Sequence, residues 1–563
     1  MMSASSPAFL LKPLAAALLL AALDAHAAGP GTPDSGAILQ QLQPGVPAAA
    51  PSNAPTLQIA PRSEAGLPAS APFEVKHLRI TGNTAFATEI LHALVADQEG
   101  QRLTLEQLNA LTGRITAYYQ NHGFPLARAI IPAQTISDGV VVIQVVEAHY
   151  GQVSLNNRSK VGDPVLNAIL APLQGGQAIA GNELDRTLLL LSDVPGVGLS
   201  ASLKPGAAVG TSDLDIEAND NPAAPVSLAL DNYGNRYVGR TRLSGNLSLL
   251  NPLHHGDILS ASLLTTGNGM NYGRVSYDTL VSGSGTRVGA AYSYLRYKLG
   301  SELNALGANG TAGVASLWAR QPLLRGKQAN LYAQVQYDAK RLRDHIDSGG
   351  VNTDRHLANW VLSLNGDLRD SLLAGGFSAW TLGWTNGRVV FDDAAAASAD
   401  DATARTRGGF SKWNANVSRL QGLGQRDALY VSLAAQWADS NLDSAEKMTA
   451  GGPFSVRAYD IGAASGDTGY LGTVEWRHDL GSPLAGQWQA LAFIDSAYVK
   501  ANRRPWSSAE NSATLSGAGV GLNWIGPNLW RASAALATRI GGLSSLVARQ
   551  SSVRAWMTLS KGF

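Results

Sequence analysis

Two side chains of opposite charge in this sequence could do specific work, Arg457 and Asp495. A guanidinium presents five donors in a planar fork that a carboxylate can meet bidentately, so such a pair can hold one segment of chain against another. The residues around Asp495 alternate. Gln489, Leu491 and Phe493 share its face of an extended segment, while Trp488, Ala490, Ala492 and Ile494 take the other, the better one for lipid. An acidic group at membrane depth belongs on the inner side. The pattern alone leaves two arrangements open: a loop carrying Arg457 latched to a wall carrying Asp495, or an exposed Arg457 and a solvated Asp495. A partly buried pair loses desolvation energy while gaining Coulomb energy. A latch would therefore fix position more than it would stabilise the fold.

Signatures of catalysis are missing. There is no cysteine, which excludes thiol catalysis, disulfide scaffolds and cysteine-ligated zinc. Gly376-Phe377-Ser378-Ala379-Trp380 lacks the last glycine of a G-x-S-x-G elbow, and Gly517-Ala518-Gly519-Val520-Gly521 reads as small residues in a strand. His254-His255 has no i, i+4 partner and sits in a turn sequence, so no metal site is expected. No phosphate-binding G-x-x-x-x-G-K-[ST] occurs. The reading is of a chain that is not an enzyme and needs no cofactor. With 43 basic against 42 acidic side chains, the formal charge of +1 argues against a nucleic-acid partner.

The elements that must position such a pair fall into regions. Residues 1–27 read as a secretory signal peptide: Lys12 is the positive n-region, Pro13 to Leu23 the short apolar core, and Ala25-His26-Ala27 the cleavage site. No later stretch is apolar for the roughly 20 residues a membrane helix requires. A membrane crossing must then be made by a closed barrel, because only helices and closed barrels satisfy every backbone group in lipid. Residues 28–72, rich in Ala, Pro, Gly and Ser, read as a linker. Within it Asp34 or Ser35 can cap a short helix carrying Ile38, Leu39 and Leu42 on one side, and a helix there and disordered linker are both open.

Residues 73–148 and 149–220 read as two copies of one α+β unit, repeating after roughly 75 residues. The first opens on an alternating strand, Phe73 to Ile80, followed by a helix over Thr88 to Val95. A longer helix starts at Thr104, whose capping box with Gln107 precedes Leu105, Leu108, Leu111, Ile115 and Tyr119 at helical spacing. Strands Leu126 to Ile131 and Val140 to Val146 close the unit, and the order strand, two helices, two strands returns from Tyr150 to Ala218.

Residues 221–563 change character. All 12 tryptophans lie here, from Trp318 to Trp556. Leu331, Ala333, Val335 and Tyr337 alternate with Tyr332, Gln334, Gln336 and Asp338, the period of a strand with lipid on one face and a wet lumen on the other. About 340 residues at roughly 20 per strand and connection give about 16 or 17 strands, and barrels of this kind take even numbers. The last strand runs into a terminal Phe563.

The order of several segments makes the chain resemble a TpsB transporter, the outer-membrane half of a two-partner secretion system of the haemolysin/filamentous-haemagglutinin exporter type. Gly123-Phe124, Ile131-Pro132-Ala133-Gln134, Asp138-Gly139-Val140 and Val145-Val146-Glu147 are similar to that family's first POTRA module, although Ala148 follows where Gly is usual. Leu203-Lys204-Pro205-Gly206 and Gly210-Thr211-Ser212-Asp213-Leu214 are similar to the second, and Asp231-Asn232-Tyr233-Gly234-Asn235-Arg236 to the first barrel strands. Gly452 to Tyr459 is similar to the VRG(F/Y) motif at the tip of a loop that folds into the pore. Val456, Arg457 and Tyr459 match, and Ala458 stands where the family has a glycine free to adopt φ > 0. Gly466-Asp467 and Glu475 resemble the strand that follows. Phe493-Ile494-Asp495 resembles the family's F-x-D motif, whose Asp pairs with the loop Arg.

The resemblance implies a transmembrane β-barrel of about 16 antiparallel strands, with two N-terminal periplasmic α+β POTRA domains and a pore-inserted loop around 445–466. It implies a latch between Arg457 and Asp495, and an N-terminal helix with Ile38, Leu39 and Leu42 able to plug the pore. It implies that the barrel is seated among outer-membrane lipids by the barrel assembly machinery. The cargo is an unfolded secreted exoprotein, such as a haemolysin, an adhesin or a toxin, captured by the POTRA domains. Leu105, Leu108, Val141 and Ile143 are the candidate docking side chains, with membership of the core as their other reading. An outer-membrane insertase of the same superfamily is the alternative, but insertases typically carry more POTRA modules than two. A diffusion porin would need none.

Overall fold

The computed structural model describes residues 32–42, 57–59, 70–221 and 225–563. The expected signal peptide and most of the linker lie outside them. No helix among the described residues is long and apolar enough to cross a membrane.

The first module packs helices on a three-stranded sheet ordered His77–Thr81, Val140–Val146, Arg128–Ile130. The first two strands run parallel and the last two antiparallel. Its main helix, Leu105–Asn121, begins as the sequence dictates: Gln107 N donates to Thr104 Oγ1 at 3.2 Å, and the Gln107 side chain accepts from Thr104 N at 2.9 Å. Leu108, Leu111, Ile115 and Tyr119 then fall on its buried face. The expected single strand from Phe73 to Ile80 is two. Phe73–Val75 pairs with Gln101–Leu103, whereas His77–Thr81 pairs with Val140–Val146. The break falls at Lys76, because Lys76 N and His77 N both turn to the Gly139 carbonyl.

Leu108, Val141 and Ile143 are wholly buried in this module's core, and Leu105 is half-buried against it. The expectation that these side chains dock cargo is corrected accordingly, since exposing them would dismantle the core. The outer edges of His77–Thr81 and Arg128–Ile130 pair with no further strand among the described residues, but Leu78 N donates to Glu99 Oε1 at 2.7 Å and Ala129 N to Thr116 Oγ1 at 3.0 Å.

The second module repeats the plan, with helices Asp163–Leu170 and Gly181–Ser192 over a sheet ordered Leu57–Ile59, Val197–Pro205, Thr211–Asp220, His149–Arg158. The edge strand Leu57–Ile59 comes from the linker. It lies parallel to Val197–Pro205, with Gln58 opposite Ser202.

From Val226 onward, sixteen antiparallel strands of the described residues close a barrel. Closure pairs Ser227 to Asp231 of the first strand with Thr558 to Gly562 of the last. The strands Ala329–Ile346 and Val351–Asp370 pair along their whole shared length. Arg325 grips Asp193 of the second module through two hydrogen bonds, at 2.7 and 2.8 Å, and Lys327 meets Asp185 at 2.6 Å. The second module is thereby fixed to one rim, and the opposite rim carries the long segment between Asp427–Ala438 and Thr468–Gly481.

Candidate functional site

That segment turns into the lumen and forms a small hairpin, Met448–Ala450 against Ala464–Gly466. At its tip Arg457 reaches the wall. Its Nε donates to Asp495 Oδ2 and its Nη2 to Asp495 Oδ1, both at 2.8 Å, and its backbone N–H adds a third bond at 3.1 Å. Thr473 Oγ1 donates to the same carboxylate at 3.0 Å. Asp495 is wholly buried, on the inward face with Leu491 and Phe493, while Ile494 points outward. The remaining Arg457 nitrogen, Nη1, donates to Glu475 Oε2 at 2.5 Å, and Glu475 Oε1 accepts from Arg477 at 2.9 Å. The guanidinium lies over the Phe493 ring, 3.3 Å from its centroid. Trp556 of the last strand donates to the Arg457 carbonyl at 2.7 Å. Four of the motif residues, Arg457, Asp495, Glu475 and Phe493, thus meet at one point.

Val456 and Tyr459 are buried in the cluster beneath the tip. Ala458 does not adopt positive φ, so the methyl that replaces a hydrogen strains no turn. Its room comes from Gly517 on the facing strand, where any side chain would collide with the Ala458 Cβ. Gly466 and Asp467 sit at the base of the loop. Asp467, also wholly buried, accepts from Leu442 N at 3.0 Å and from Arg503 N at 2.7 Å, and pairs with Lys447 at 2.9 Å.

The N-terminal helix Ser35–Gln41 lies in the same lumen. Asp34 caps it, accepting from Ala37 N at 2.8 Å. Ile38 and Leu39 are buried and Leu42 is half-buried, against wall residues such as Leu295, Leu342 and Leu357 and against Leu442 and Ala445 of the loop. Burial of each large side chain contributes roughly 1.5–3 kcal/mol. Gly36 passes so close to Ser444 and Ala445 that a side chain could not be fitted.

A residue that sequence reasoning missed ties these parts together. Arg355, on the inner face of Val351–Asp370, donates to Asp34 Oδ2 at 2.9 Å, to wall residue Asp344 at 2.7 Å and to loop residue Asp443 at 2.5 Å. Beside it Glu446 takes Lys340 at 2.6 Å and Lys412 at 2.9 Å. The alternation Arg355, Leu357, Asn359 placed Arg355 inward, but nothing local signalled its partners.

Two cavities, of about 970 and 1070 Å³, flank the helix and loop inside the barrel. Leu39, Gln40 and Leu42 line the first. Gln40, Gln41 and the loop tip line the second. The helix and loop, and not the wall, divide the lumen.

Outside the barrel, Glu147 organises the first module. Its Oε1 accepts from Thr84 N, Ala85 N and Tyr119 Oη at 2.7, 2.8 and 2.7 Å, and the Thr84 hydroxyl bonds its other oxygen. Burial alone pushes its carboxyl up, but the Ala85 N–H, the Thr84 hydroxyl and Tyr119 outweigh it and hold the group below the usual carboxylate range. Burial and the bond to Glu147 push the Tyr119 phenol up.

Comparison with known proteins places this geometry. Residues 210–524 match the family described as haemolysin secretion/activation protein ShlB/FhaC/HecB, and residues 73–148 match the ShlB-type POTRA domain. The heme/hemopexin transporter protein HuxB of Haemophilus influenzae (strain 86-028NP) is 27% identical over 449 residues, covering 78% of this chain and 79% of HuxB. The outer membrane transporter CdiB of Dickeya dadantii (strain 3937) is 22% identical over 466 residues, 80% of each chain. The solved structure of CdiB from Escherichia coli superposes with a TM-score of 0.71 at 20% identity, covering 100% of both chains, and shares the fold.

Proposed function

The chain belongs to the ShlB/FhaC/HecB family of haemolysin secretion/activation proteins and is an outer-membrane transporter of two-partner secretion, and from that premise we propose how its lumen works. An unfolded exoprotein leaves the periplasm through the barrel once the helix Ser35–Gln41 and the loop around 445–466 have moved aside. The observation that carries this reading is that, among the described residues, the lumen is divided only by those two segments, both held by side-chain contacts and neither built into the wall. The Arg457–Asp495 latch sets the loop's position, and its dense donor set makes that position single-valued.

Cargo is captured in the periplasm by strand addition, which gives main-chain hydrogen bonds without strict demands on side chains. The edges of His77–Thr81 and Arg128–Ile130 have no strand partner among the described residues and are reached by displacing the Glu99 and Thr116 side chains from Leu78 N and Ala129 N, and the edge of Val197–Pro205 by displacing Leu57–Ile59. HuxB is named a heme/hemopexin transporter and CdiB an outer membrane transporter, and a secreted exoprotein such as a haemolysin, an adhesin or a toxin is the cargo class proposed here. Folding of the cargo outside supplies the drive. The test is export of the co-expressed partner by a chain lacking residues 73–220. Loss of the partner from the medium, with the barrel still inserted, supports the reading; undiminished export sinks it.

A further inference from the structure

The rim fixed to the second module faces the periplasm, so the far ends of the barrel strands mark the outer leaflet. On Ala329–Ile346, Asp338, Lys340 and Leu342 are buried toward the lumen, which puts Arg341 and Arg343 on the outer wall, both exposed. The same alternation places Arg296 and Lys298 outward on Arg287–Lys298, and Arg388 outward on Gly376–Phe391. Below them the outer wall is apolar. Leu331, Ala333, Val335, Tyr337 and Ala339 occupy the outward positions, about 20 Å of height on a tilted strand, close to the apolar band of a membrane barrel. The cations begin at the first outward position above that band.

Their register clusters them. Arg296 and Arg343 both pair with Thr311, from opposite sides, so they sit two strands apart at about 10 Å. Arg388 is on the second strand beyond Arg343, facing Ala358, which in turn faces Ala339. Among the described residues Arg343 has a loose partner in Asp354 at 3.7 Å, while Arg296, Lys298, Arg341 and Arg388 have no ion pair. The opposite wall differs. Its outward residues at this end are Tyr470, Tyr498, Ser516, Thr538 and Val553, with Lys500 at a strand end.

Beneath the cations the same wall carries an apolar groove of about 520 Å³, lined by residues that include Val335, Leu362, Leu382, Trp384 and Trp413. Val335 lies six residues from Arg341, about 20 Å along the strand, within the reach of a fatty-acyl chain.

We propose that this face binds a phosphorylated acyl glycolipid of the outer leaflet. Its phosphates sit on Arg296, Arg341, Arg343 and Arg388, with Lys298 beside them, and one acyl chain lies in the groove. Charge complementarity selects this occupant. Arginine forks take phosphate oxygens in pairs, clustered cations at a membrane surface recognise anionic lipid headgroups, and the apolar band below leaves no room for a soluble anion to be preferred.

The test is lipid retention by the full chain purified in detergent. Wild type and the quadruple variant Arg296→Gln/Arg341→Gln/Arg343→Gln/Arg388→Gln are incubated with diphosphorylated lipid A, with its dephosphorylated form, and with phosphatidylglycerol. Bound lipid is then counted by native mass spectrometry. Lys561→Gln, which removes an outward cation at the periplasmic end, is the control, and heat-modifiable gel mobility checks that each barrel is folded. The expected result is at least a fivefold loss of bound diphosphorylated lipid A in the quadruple variant and none in the control. Wild type should prefer the diphosphorylated over the dephosphorylated form by a similar factor. Equal retention by the folded quadruple variant, equal retention of the dephosphorylated form, equal retention of phosphatidylglycerol, or displacement of the lipid by millimolar inorganic phosphate would each overturn the proposal.

Discussion

Arg355 on the barrel wall holds Asp34, the cap of the lumenal helix Ser35–Gln41, at 2.9 Å. The same guanidinium also holds Asp443 at the start of the inserted loop, so helix and loop share one anchor. Removing it would leave Asp34, Asp344 and Asp443 facing one another with little water. Breaking a buried ionic cluster by deleting one partner costs about 3–5 kcal/mol, equivalent to roughly two to four orders of magnitude in an equilibrium between occupied and open lumen. Arg355→Met is therefore expected to raise the open probability of single barrels in planar bilayers. A conductance trace like that of wild type would count against the shared anchor.

Arg457→Ala and Asp495→Ala are each expected to abolish or strongly reduce export while the barrel still inserts. Arg457→Lys should fail as well, because an ammonium cannot bridge Asp495 and Glu475 as the fork does. The double variant should be no worse than either single one, since both act on one contact. Secreted partner is measured in the medium, against the amount of folded barrel in the membrane. Normal export by both single variants would remove the latch from the mechanism.

Gln58→Pro is expected to free the edge of Val197–Pro205, because proline has no N–H to give to a ladder. A photocrosslinker at Ser202, opposite Gln58, should then capture cargo more efficiently than in the wild-type chain. Unchanged capture would mean that cargo does not use this edge.

Glu147 carries a pH dependence whose sign follows from its donors. Its folded-state affinity for a proton lies below that of an unfolded glutamate, near pH 4.3. The stabilisation is therefore complete above that pH and is lost as pH falls through the depressed folded value. Glu147→Gln should destabilise the first module at neutral pH by about 2–3 kcal/mol and flatten its acid transition. Hydrogen exchange of residues 73–148 in the full chain measures both. A variant as stable as wild type at pH 7 would show that the donors to Glu147 contribute little.

Legibility from sequence followed the range of the interaction. The helix Leu105–Asn121 was readable because its cap, Thr104 with Gln107, is local, and the barrel because lipid imposes alternation on every strand. The inward face of Asp495 was readable from its neighbours, while its meeting with Arg457 came from motif resemblance. The break at Lys76 left a local signal that a single-strand reading passes over: the apolar side chains sit at odd positions in Phe73–Val75 and at even positions, Leu78 and Ile80, in His77–Thr81, so the alternation slips by one at Lys76-His77. Arg355 was illegible as an anchor for a different reason. Asp34 and Asp443 are remote in sequence, and only barrel closure brings them together. Leu108 and Val141 showed that a hydrophobic stripe by itself cannot distinguish a core from a docking surface.

On the proposed mechanism, stopper and conduit are one polypeptide. Fourteen residues separate Leu42, in the lumen, from Leu57, paired to the second module, a reach of at most about 50 Å. A tether that short keeps a departed stopper at an effective concentration on the order of millimolar. Re-entry then needs no encounter with another molecule. Once a passenger has cleared the conduit, it reseals at a rate independent of how many copies the cell makes, and the outer membrane keeps its barrier between one passage and the next.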